Sequence, residues 1–229
     1  MLDVSFTATF DNFTLSAQFL LKTNGVFAII GPSGAGKSSL LNVLAGYSKI
    51  TNGYIAWNKT PLHTMDASAR PIATLFQDNN LFPHLSVQKN LALALTQWPW
   101  LSLRKKTIIH RALKSTGLTD LEDRLPSKLS GGQLSRAGLA RILIQNRPIL
   151  LLDEPFSALG PAQKNQMLDL VAKIAKEKHL LVLLVTHDPR DAVRIAPNTI
   201  TVIEGLVSGP IETRRALNKK SGPLTKYLY

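Results

Sequence analysis

A glycine-rich loop near the start of the chain has the residue types and spacing of a phosphate-binding site. Residues 31–38 read Gly-Pro-Ser-Gly-Ala-Gly-Lys-Ser, which fits the pattern G-x-x-x-x-G-K-S. In such a loop successive backbone N–H groups face a phosphate, Lys37 reaches the terminal phosphates, and the Ser38 hydroxyl binds Mg²⁺. The motif follows an apolar run (26–30) and precedes a helical pattern (39–45), as this chemistry requires. We therefore predict a nucleotide site formed by Gly31, Pro32, Ser33, Gly34, Ala35, Gly36, Lys37, Ser38 and Ser39.

Two consecutive carboxylates follow the apolar run of residues 149–152. Because parallel strands end at the same edge of a sheet, we expect Asp153 to lie near Mg²⁺ and Glu154 to polarise the attacking water. On its own, the segment is equally compatible with a buried strand followed by an acidic helix start. Beside the phosphate loop, the catalytic interpretation is favoured.

A second candidate anion site comprises Ser130, Gly131, Gly132 and Gln133. Ser130 is a typical helix N-cap, and the two glycines leave the N–H groups of the first helical turn accessible. One nucleotide does not readily need two such sites from one chain. We therefore expect this site to complete the active site of a second copy. A plain capped helix is the alternative, and Ser-Gly-Gly alone would favour it.

The elements that must position these residues form an α/β chain interrupted by a helical segment. The first thirty residues read as strands, and a hairpin at Asn52-Gly53 follows the first helix. The next long segment is mainly helical, and strands and helices alternate again from Ile149. We predict one domain over residues 1–229, with a nucleotide-binding core (1–84 and 147–207), a helical subdomain (85–146) and a C-terminal tail (208–229) that forms a terminal helix.

Composition narrows the functional classes. The 229-residue chain has no cysteine, which excludes a disulfide scaffold, a cysteine-ligated zinc site and a cysteine nucleophile. No apolar run approaches the roughly 18–20 residues that cross a bilayer, and the N-terminus does not resemble a signal peptide, so we expect a soluble, cytosolic protein. Lys and Arg total 27 against 15 Asp and Glu, a net charge of +12. This charge points to a nucleotide, nucleic acid or an anionic membrane face as partner.

Five motifs in order make the chain resemble the ATP-binding cassette (ABC) family over nearly its whole length. They are the phosphate loop (31–38), Gln77 after Leu75-Phe76, the signature 129–133, the strand with two carboxylates (149–154) and His187 after the strand 180–185. The resemblance implies an α/β fold with a P-loop NTPase core, an antiparallel β subdomain and an inserted helical subdomain. It also implies an ATPase in which two copies close head to tail on two ATP molecules with Mg²⁺.

The resemblance implies catalytic roles for three residues. Glu154 would be the general base, His187 would contact the γ-phosphate, and Gln77 would contact the attacking water and report to a membrane partner. The residues that would hold Mg²⁺ are Ser38, Gln77 and Asp153.

Nucleotide-binding roles follow from the same resemblance. Ser130 and Gly132, with their signature neighbours Gly131 and Gln133, would hold the γ-phosphate of the opposite ATP. The family usually stacks a tyrosine on adenine, whereas Phe10, or alternatively Phe13, is nearest here in sequence register. Stacking needs only an aromatic ring, so we expect adenine binding to be retained.

Two further departures from the family pattern concern the contact between the two sites. Leu134-Ser135 replaces the more usual Arg-Gln and removes a cation near the dimer interface. Gly160 replaces the usual Asp in a loop that crosses between the sites. This second departure leaves open a nucleotide-binding regulator without turnover.

Residues 70–87 resemble the ATPase subunits of bacterial importers, and the portion Asn79-Asn80-Leu81-Phe82 is most similar to those of thiamine importers. Importers of sulfate, iron, molybdate or polyamines are alternatives. The resemblance implies a transmembrane permease, a substrate-binding protein and a second copy of the chain as partners, and no nucleic acid. It places the chain on the cytoplasmic face of the inner membrane, as a peripheral subunit. A DNA-associated ATPase is the rival from another class, but the chain has neither sustained heptads nor cysteines for zinc.

An apolar patch occupies the first part of the helical subdomain. Its members are Leu81, Phe82, Leu91, Leu93 and residues 98–101. We expect most of them to pack the core of that subdomain. Phe82 and its neighbours near Gln77 are the expected anchor for a short helix of the permease, because exposed apolar patches mark partner sites.

Overall fold

The computed structural model describes residues 1–77, 81–95, 102–218 and 223–224. The strands within them are β1 (Leu2–Phe10), β2 (Phe13–Leu21), β3 (Gly25–Ile30), β4 (Asn52–Trp57), β5 (Thr60–Pro61), β6 (Ile72–Leu75), β7 (Ile149–Asp153), β8 (Leu181–Val185), β9 (Asn198–Ile203) and β10 (Leu206–Glu212). The helices are α1 (Lys37–Ala45), α2 (Val87–Leu93), α3 (Leu103–Ser115), α4 (Gly131–Leu143), α5 (Pro161–Glu177), α6 (Pro189–Ile195) and α7 (Thr213–Ala216).

These strands form one mixed sheet in the order β5-β4-β1-β2-β10-β9-β3-β8-β7-β6. The strands from β9 to β6 are parallel, whereas β5, β4, β1 and β2 pair antiparallel. β10 joins the two parts, since it is antiparallel to β9 and parallel to β2. The predicted α/β class with an antiparallel portion and a helical insertion is therefore confirmed. In the parallel part, β3, β8 and β7 end at the same edge of the sheet.

The parallel strands are apolar along their whole length because helices cover both of their faces. Ile149 and Leu151 of β7 pack into the core that contains α1, whereas Leu150 and Leu152 pack into the core that contains α5 and α6. A third, smaller core joins α2, α3 and α4. Burial on both faces explains why the strand reads as a continuous apolar run rather than an alternating one. It also fixes the strand ends, from which the candidate site residues extend.

The C-terminal end of α1 is held by a glycine and a buried arginine. Gly46 has a φ of +91°, and its N–H donates to the carbonyl of Asn42 at 3.0 Å, which caps the helix. The Arg70 guanidinium donates to the carbonyls of Val43 at 2.8 Å and Leu44 at 2.7 Å. Because helix-end carbonyls lack partners within the helix, these bonds satisfy them and anchor α1 to the segment that leads into β6.

The predicted apolar patch divides into buried and exposed residues. Leu91 is fully buried in the helical core, and Leu81 packs against the same core. Phe82 and Leu93 are 42% and 43% exposed. Residues 98–101 of the patch lie outside the described residues.

The predicted position of one hairpin is wrong. Asn52-Gly53 does not form the turn but begins β4, where these residues pair with Thr7 and Phe6 of β1. The turn lies between β4 and β5 at Asn58-Lys59, whose φ angles are +48° and +69°. A two-residue hairpin turn of type I′ requires positive φ at both positions, and this pair provides it.

The expected helical tail is also wrong over its first residues. Residues 208–212 belong to β10, which pairs with β9. The chain folds back there because Glu204 and Gly205 adopt positive φ angles of 49° and 78° and form a tight turn. Helix α7 covers only Thr213–Ala216. Residues 219–222 and 225–229 of the tail lie outside the described residues.

Candidate functional site

The phosphate loop connects β3 to α1 and encloses a buried lysine. The Lys37 ammonium donates to the carbonyl of Gly31 at 2.9 Å and to that of Pro32 at 2.7 Å, so it lies across the loop. Burial lowers the pKa of Lys37, and the nearby carboxylates of Glu154 and Asp153 partly oppose this effect. The loop therefore places a cation next to backbone N–H groups at a helix N-terminus, an arrangement that suits a polyphosphate.

A hydroxyl and a carboxylate meet beside this lysine. The Ser38 side chain hydrogen-bonds to Asp153, whose pKa is raised mainly by burial. Ser38 lies in the first turn of α1 and Asp153 ends β7, so the shared edge of the sheet joins two segments more than a hundred residues apart in sequence. Mg²⁺ takes oxygen ligands and is commonly held by one or two protein groups together with phosphate oxygens. The donor atoms of Ser38 and Asp153 fit such an ion.

Glu154 and His187 form a hydrogen-bonded pair at the ends of the adjacent strands β7 and β8. His187 Nδ1 lies 2.9 Å from Glu154 Oε2. The Glu154 N–H donates to the carbonyl of Val185 at 3.2 Å, which ties the two strand ends together. Glu154 has a φ of +44°, a left-handed conformation that is unfavourable for a residue with a side chain. The carboxylate is about a quarter exposed, at 27%, so a water molecule can reach it.

Gln77 lies at the same edge of the sheet. It follows β6, whose last residue, Leu75, pairs with Leu152 of β7. The Gln77 side chain is exposed, next to residues 78–80, which lie outside the described residues.

The two candidate adenine-stacking residues stack on each other. The rings of Phe10 and Phe13 have centroids 4.8 Å apart and planes inclined by 8°. Phe13 is the one that meets the phosphate loop, since a Cβ at Gly36 would come within 3.2 Å of its ring. The pair offers an aromatic surface beside the loop, with Phe13 closer to it.

The signature residues form a separate site at the start of α4. The Ser130 hydroxyl accepts from the Gln133 N–H at 3.3 Å, and the Gln133 side chain accepts from the Ser130 N–H at 2.9 Å. This reciprocal capping matches the expected N-cap. Among the described residues, no hydrogen bond or ion pair links residues 130–133 to the phosphate loop. Gly131 and Gly132 lie instead against Leu159 and Gln163, at the start of α5.

A cluster of charged residues next to the loop of His187, formed by Lys164, Asp188 and Asp191, was not predicted from the sequence. Lys164 of α5 lies between the carboxylates of Asp188 and Asp191, at 2.8 Å and 2.9 Å. One local signal was available, because an aspartate directly before a proline is typical of a helix start. The pairing with Lys164 has no such signal, since it joins residues 24 positions apart.

The profile of the family described as "ABC transporter" matches residues 15–157. The chain belongs to the ABC transporter family. It is accordingly an ABC-type ATPase domain that binds ATP.

Known proteins resemble this ABC ATPase over nearly all of its length. It is 45% identical over 217 residues to the thiamine import ATP-binding protein ThiQ of Ruegeria sp. strain TM1040, which covers 95% of this chain and 94% of the relative. The dimeric structure of MJ0796, described as a bacterial ABC transporter cassette, is similar with a TM-score of 0.80 and 27% identity over 93% of this chain and 99% of that one. A post-hydrolysis state of MJ0796 with ADP and Pi has a TM-score of 0.79 and 26% identity, with the same coverage of 93% and 99%.

Within residues 1–77, 81–95, 102–218 and 223–224, no helix of this ABC ATPase is a candidate membrane span. Across the residues that the structure describes, each helix is too short or too polar to traverse a bilayer.

Proposed function

We propose that this chain is the ATP-hydrolysing subunit of a bacterial thiamine importer. The observation that carries hydrolysis is the Glu154–His187 pair, 2.9 Å apart, at the sheet edge that also bears the phosphate loop. The assignment of thiamine as the substrate is based on the 45% identity to a thiamine import ATP-binding protein over 95% of the chain. Sulfate, iron, molybdate and polyamine importers remain the competing substrate classes.

In the proposed reaction the loop binds the phosphates and Glu154 prepares the water. Lys37 neutralises the terminal phosphates, and the backbone N–H groups of the loop donate to them. The Glu154 carboxylate accepts a proton from the attacking water, and His187 holds this carboxylate in place and contacts the γ-phosphate. Ser38, Asp153 and Gln77 would hold Mg²⁺, which supplies positive charge to the β- and γ-phosphates when it is bound.

The proposed active form is a head-to-tail homodimer on two ATP molecules. Within the described residues, Ser130, Gly131, Gly132 and Gln133 form no hydrogen bond or ion pair with the phosphate loop of their own chain, which favours a role at the partner copy's ATP. The dimeric form of the similar MJ0796 cassette supports this assembly.

The proposed contact with the permease is the surface around Phe82. Its ring is 42% exposed, and the guanidinium of Arg141 lies 5.3 Å from its centroid. The fully buried Asn90 side chain accepts from the Phe82 N–H at 2.7 Å and donates to the Phe82 carbonyl at 3.0 Å. A rigid backbone that presents an exposed aromatic ring suits docking of a short permease helix. In this proposal the subunit is peripheral to the cytoplasmic face of the membrane, and a substrate-binding protein delivers the vitamin.

Transport and complex formation test the proposal together. We expect affinity purification from solubilised membranes to recover a multi-span permease with the wild-type chain and equally with Glu154→Gln. Uptake of labelled thiamine should require the wild-type chain and be lost with Glu154→Gln. Uptake of sulfate, iron, molybdate or polyamine in place of thiamine would show that the substrate assignment is wrong. Recovery of DNA instead of a permease would contradict the importer.

A further inference from the structure

The cluster of Lys164, Asp188 and Asp191 is largely buried and lies outside the residues assigned to ATP. The Lys164 ammonium is 2.8 Å from Asp188 Oδ2 and 2.9 Å from Asp191 Oδ1. The side chains of the three residues are only 18%, 12% and 9% exposed. At such short distances and low exposure, the lysine holds the two carboxylates together against their mutual repulsion.

This cluster holds the backbone on both sides of His187. The Thr186 hydroxyl donates to Asp191 Oδ2 at 2.7 Å and accepts from the Asp188 N–H at 3.1 Å. Residues 186 and 188 are therefore both fixed to the carboxylates that Lys164 holds. Because the imidazole of His187 meets Glu154 from this short loop, the direction of the imidazole depends on the position of the loop.

Lys164 lies in α5, the helix that follows the loop from Glu154 to Gly160. Lys164 lies in the first turn of α5, where its N–H donates to the carbonyl of Gly160 at 2.9 Å. The loop from Glu154 to Gly160 is itself closed by the Ser157 hydroxyl, which donates to the Glu154 carbonyl at 3.0 Å. Lys164 thus links the helix after the glutamate loop to the loop that carries the histidine.

We propose that Lys164 is a positioning residue for ATP hydrolysis, which sets the loop of His187 relative to Glu154 through Asp188 and Asp191. This inference rests on the proposed hydrolytic role of the Glu154–His187 pair. Lys164 acts through other residues and does not contribute to ATP affinity.

The experiment compares two ion pairs between α5 and α6 in the purified full-length chain. Lys164→Met removes the cation that bridges Asp188 and Asp191 but keeps a long side chain, and it leaves the pairing of Arg190 with Asp188 in place. Lys164→Arg keeps the bridging cation. The matched control is Arg194→Met, because Arg194 pairs with Asp169 at 2.7 Å and also joins α6 to α5, but forms no side-chain hydrogen bond or ion pair with the described residues 186–188. Steady-state ATP hydrolysis gives kcat and KM, and calorimetric titration of ATP gives the affinity.

We expect Lys164→Met to lower kcat by about 10- to 100-fold, since small displacements of catalytic groups have effects of this size. KM and ATP affinity should change by less than about twofold, because nucleotide contacts are untouched. Lys164→Arg should restore most of the rate, and Arg194→Met should match the wild type.

Equal rates for Lys164→Met and Arg194→Met would overturn the positioning role. If Lys164→Met does not fold, Thr186→Val makes the same test, because it keeps the side-chain shape and removes the hydrogen bonds of the hydroxyl to Asp188 and Asp191. A wild-type kcat in Thr186→Val would then refute the inference. Failure of the proposed function is a different result, namely a wild-type chain that binds ATP and does not hydrolyse it.

Discussion

Replacing Gly160 with aspartate should stabilise α5 by adding a missing cap. Gly160 is the N-cap of α5, with a φ of −62° and a ψ of 157° that any residue can adopt, and no side chain caps the helix there. A Cβ at this position has no atom within 4 Å. Because Pro161 has no N–H, the new carboxylate would accept from the N–H of Ala162 or Gln163. Asp exceeds Gly as an N-cap by a few tenths of a kcal/mol, and a negative charge at a helix start adds to this, for a total of about 0.5–1 kcal/mol.

Thermal and urea unfolding of purified protein measure this gain. For a chain of this size the expected rise in Tm for Gly160→Asp is about 1–4 °C. Gly160→Ala is the control, because alanine is a poor N-cap and should lower the free energy of unfolding. If both variants shift stability in the same direction, reduced freedom of the unfolded chain explains the result and the capping argument is wrong. We also expect ATPase activity to rise in Gly160→Asp, and unchanged activity would mean that the loop works without the carboxylate.

Three other changes test the site and its electrostatics. The Glu154→Gln variant should bind ATP and elute as a dimer in size-exclusion chromatography, and its rate of ATP hydrolysis should fall by about 10²- to 10⁴-fold. A wild-type rate of hydrolysis would show that the general-base assignment is wrong. Lys37→Ala should weaken ATP binding at least about tenfold in a calorimetric titration, because a charged hydrogen-bond donor is lost, and unchanged affinity would refute the phosphate-loop assignment. Hydrogen bonds from Arg190 and Lys164 outweigh the effect of burial and hold the pKa of Asp188 far below its ordinary value. The ionised Asp188 carboxylate therefore stabilises the folded chain at neutral pH, and this stabilisation is lost as the pH falls below about 4. Urea unfolding at pH 7 and pH 3.5 should therefore show a larger acid-induced loss for the wild type than for Asp188→Asn, and equal losses would contradict the assignment.

The sequence was most informative where a local pattern determines a local structure. The strands of the first thirty residues, the apolar runs of β3 and β7 and the N-cap at Ser130 each depend on neighbouring residues alone, and each matches the structure. Because parallel strands end at one edge, the sequence also predicted that Asp153, Glu154 and the phosphate loop would be neighbours.

What the sequence could not predict depends on partners far along the chain. Asn52-Gly53 has the composition of a turn, but pairing with β1 draws these residues into a strand. The first part of the tail becomes β10 because β9 supplies hydrogen-bond partners. The Lys164 cluster and the bonds from Arg70 to the end of α1 join residues 24 to 27 positions apart, and no periodic pattern records such pairs.

The left-handed backbone of Glu154 sets stability and catalysis against each other at one position. A residue with a side chain costs about 1–2 kcal/mol in that conformation, and glycine would relieve most of this strain. Only a carboxylate, however, can accept a proton from water beside His187. An unbiased screen for thermostable variants should therefore enrich glycine at position 154 and deliver inactive protein, unless turnover is selected at the same time.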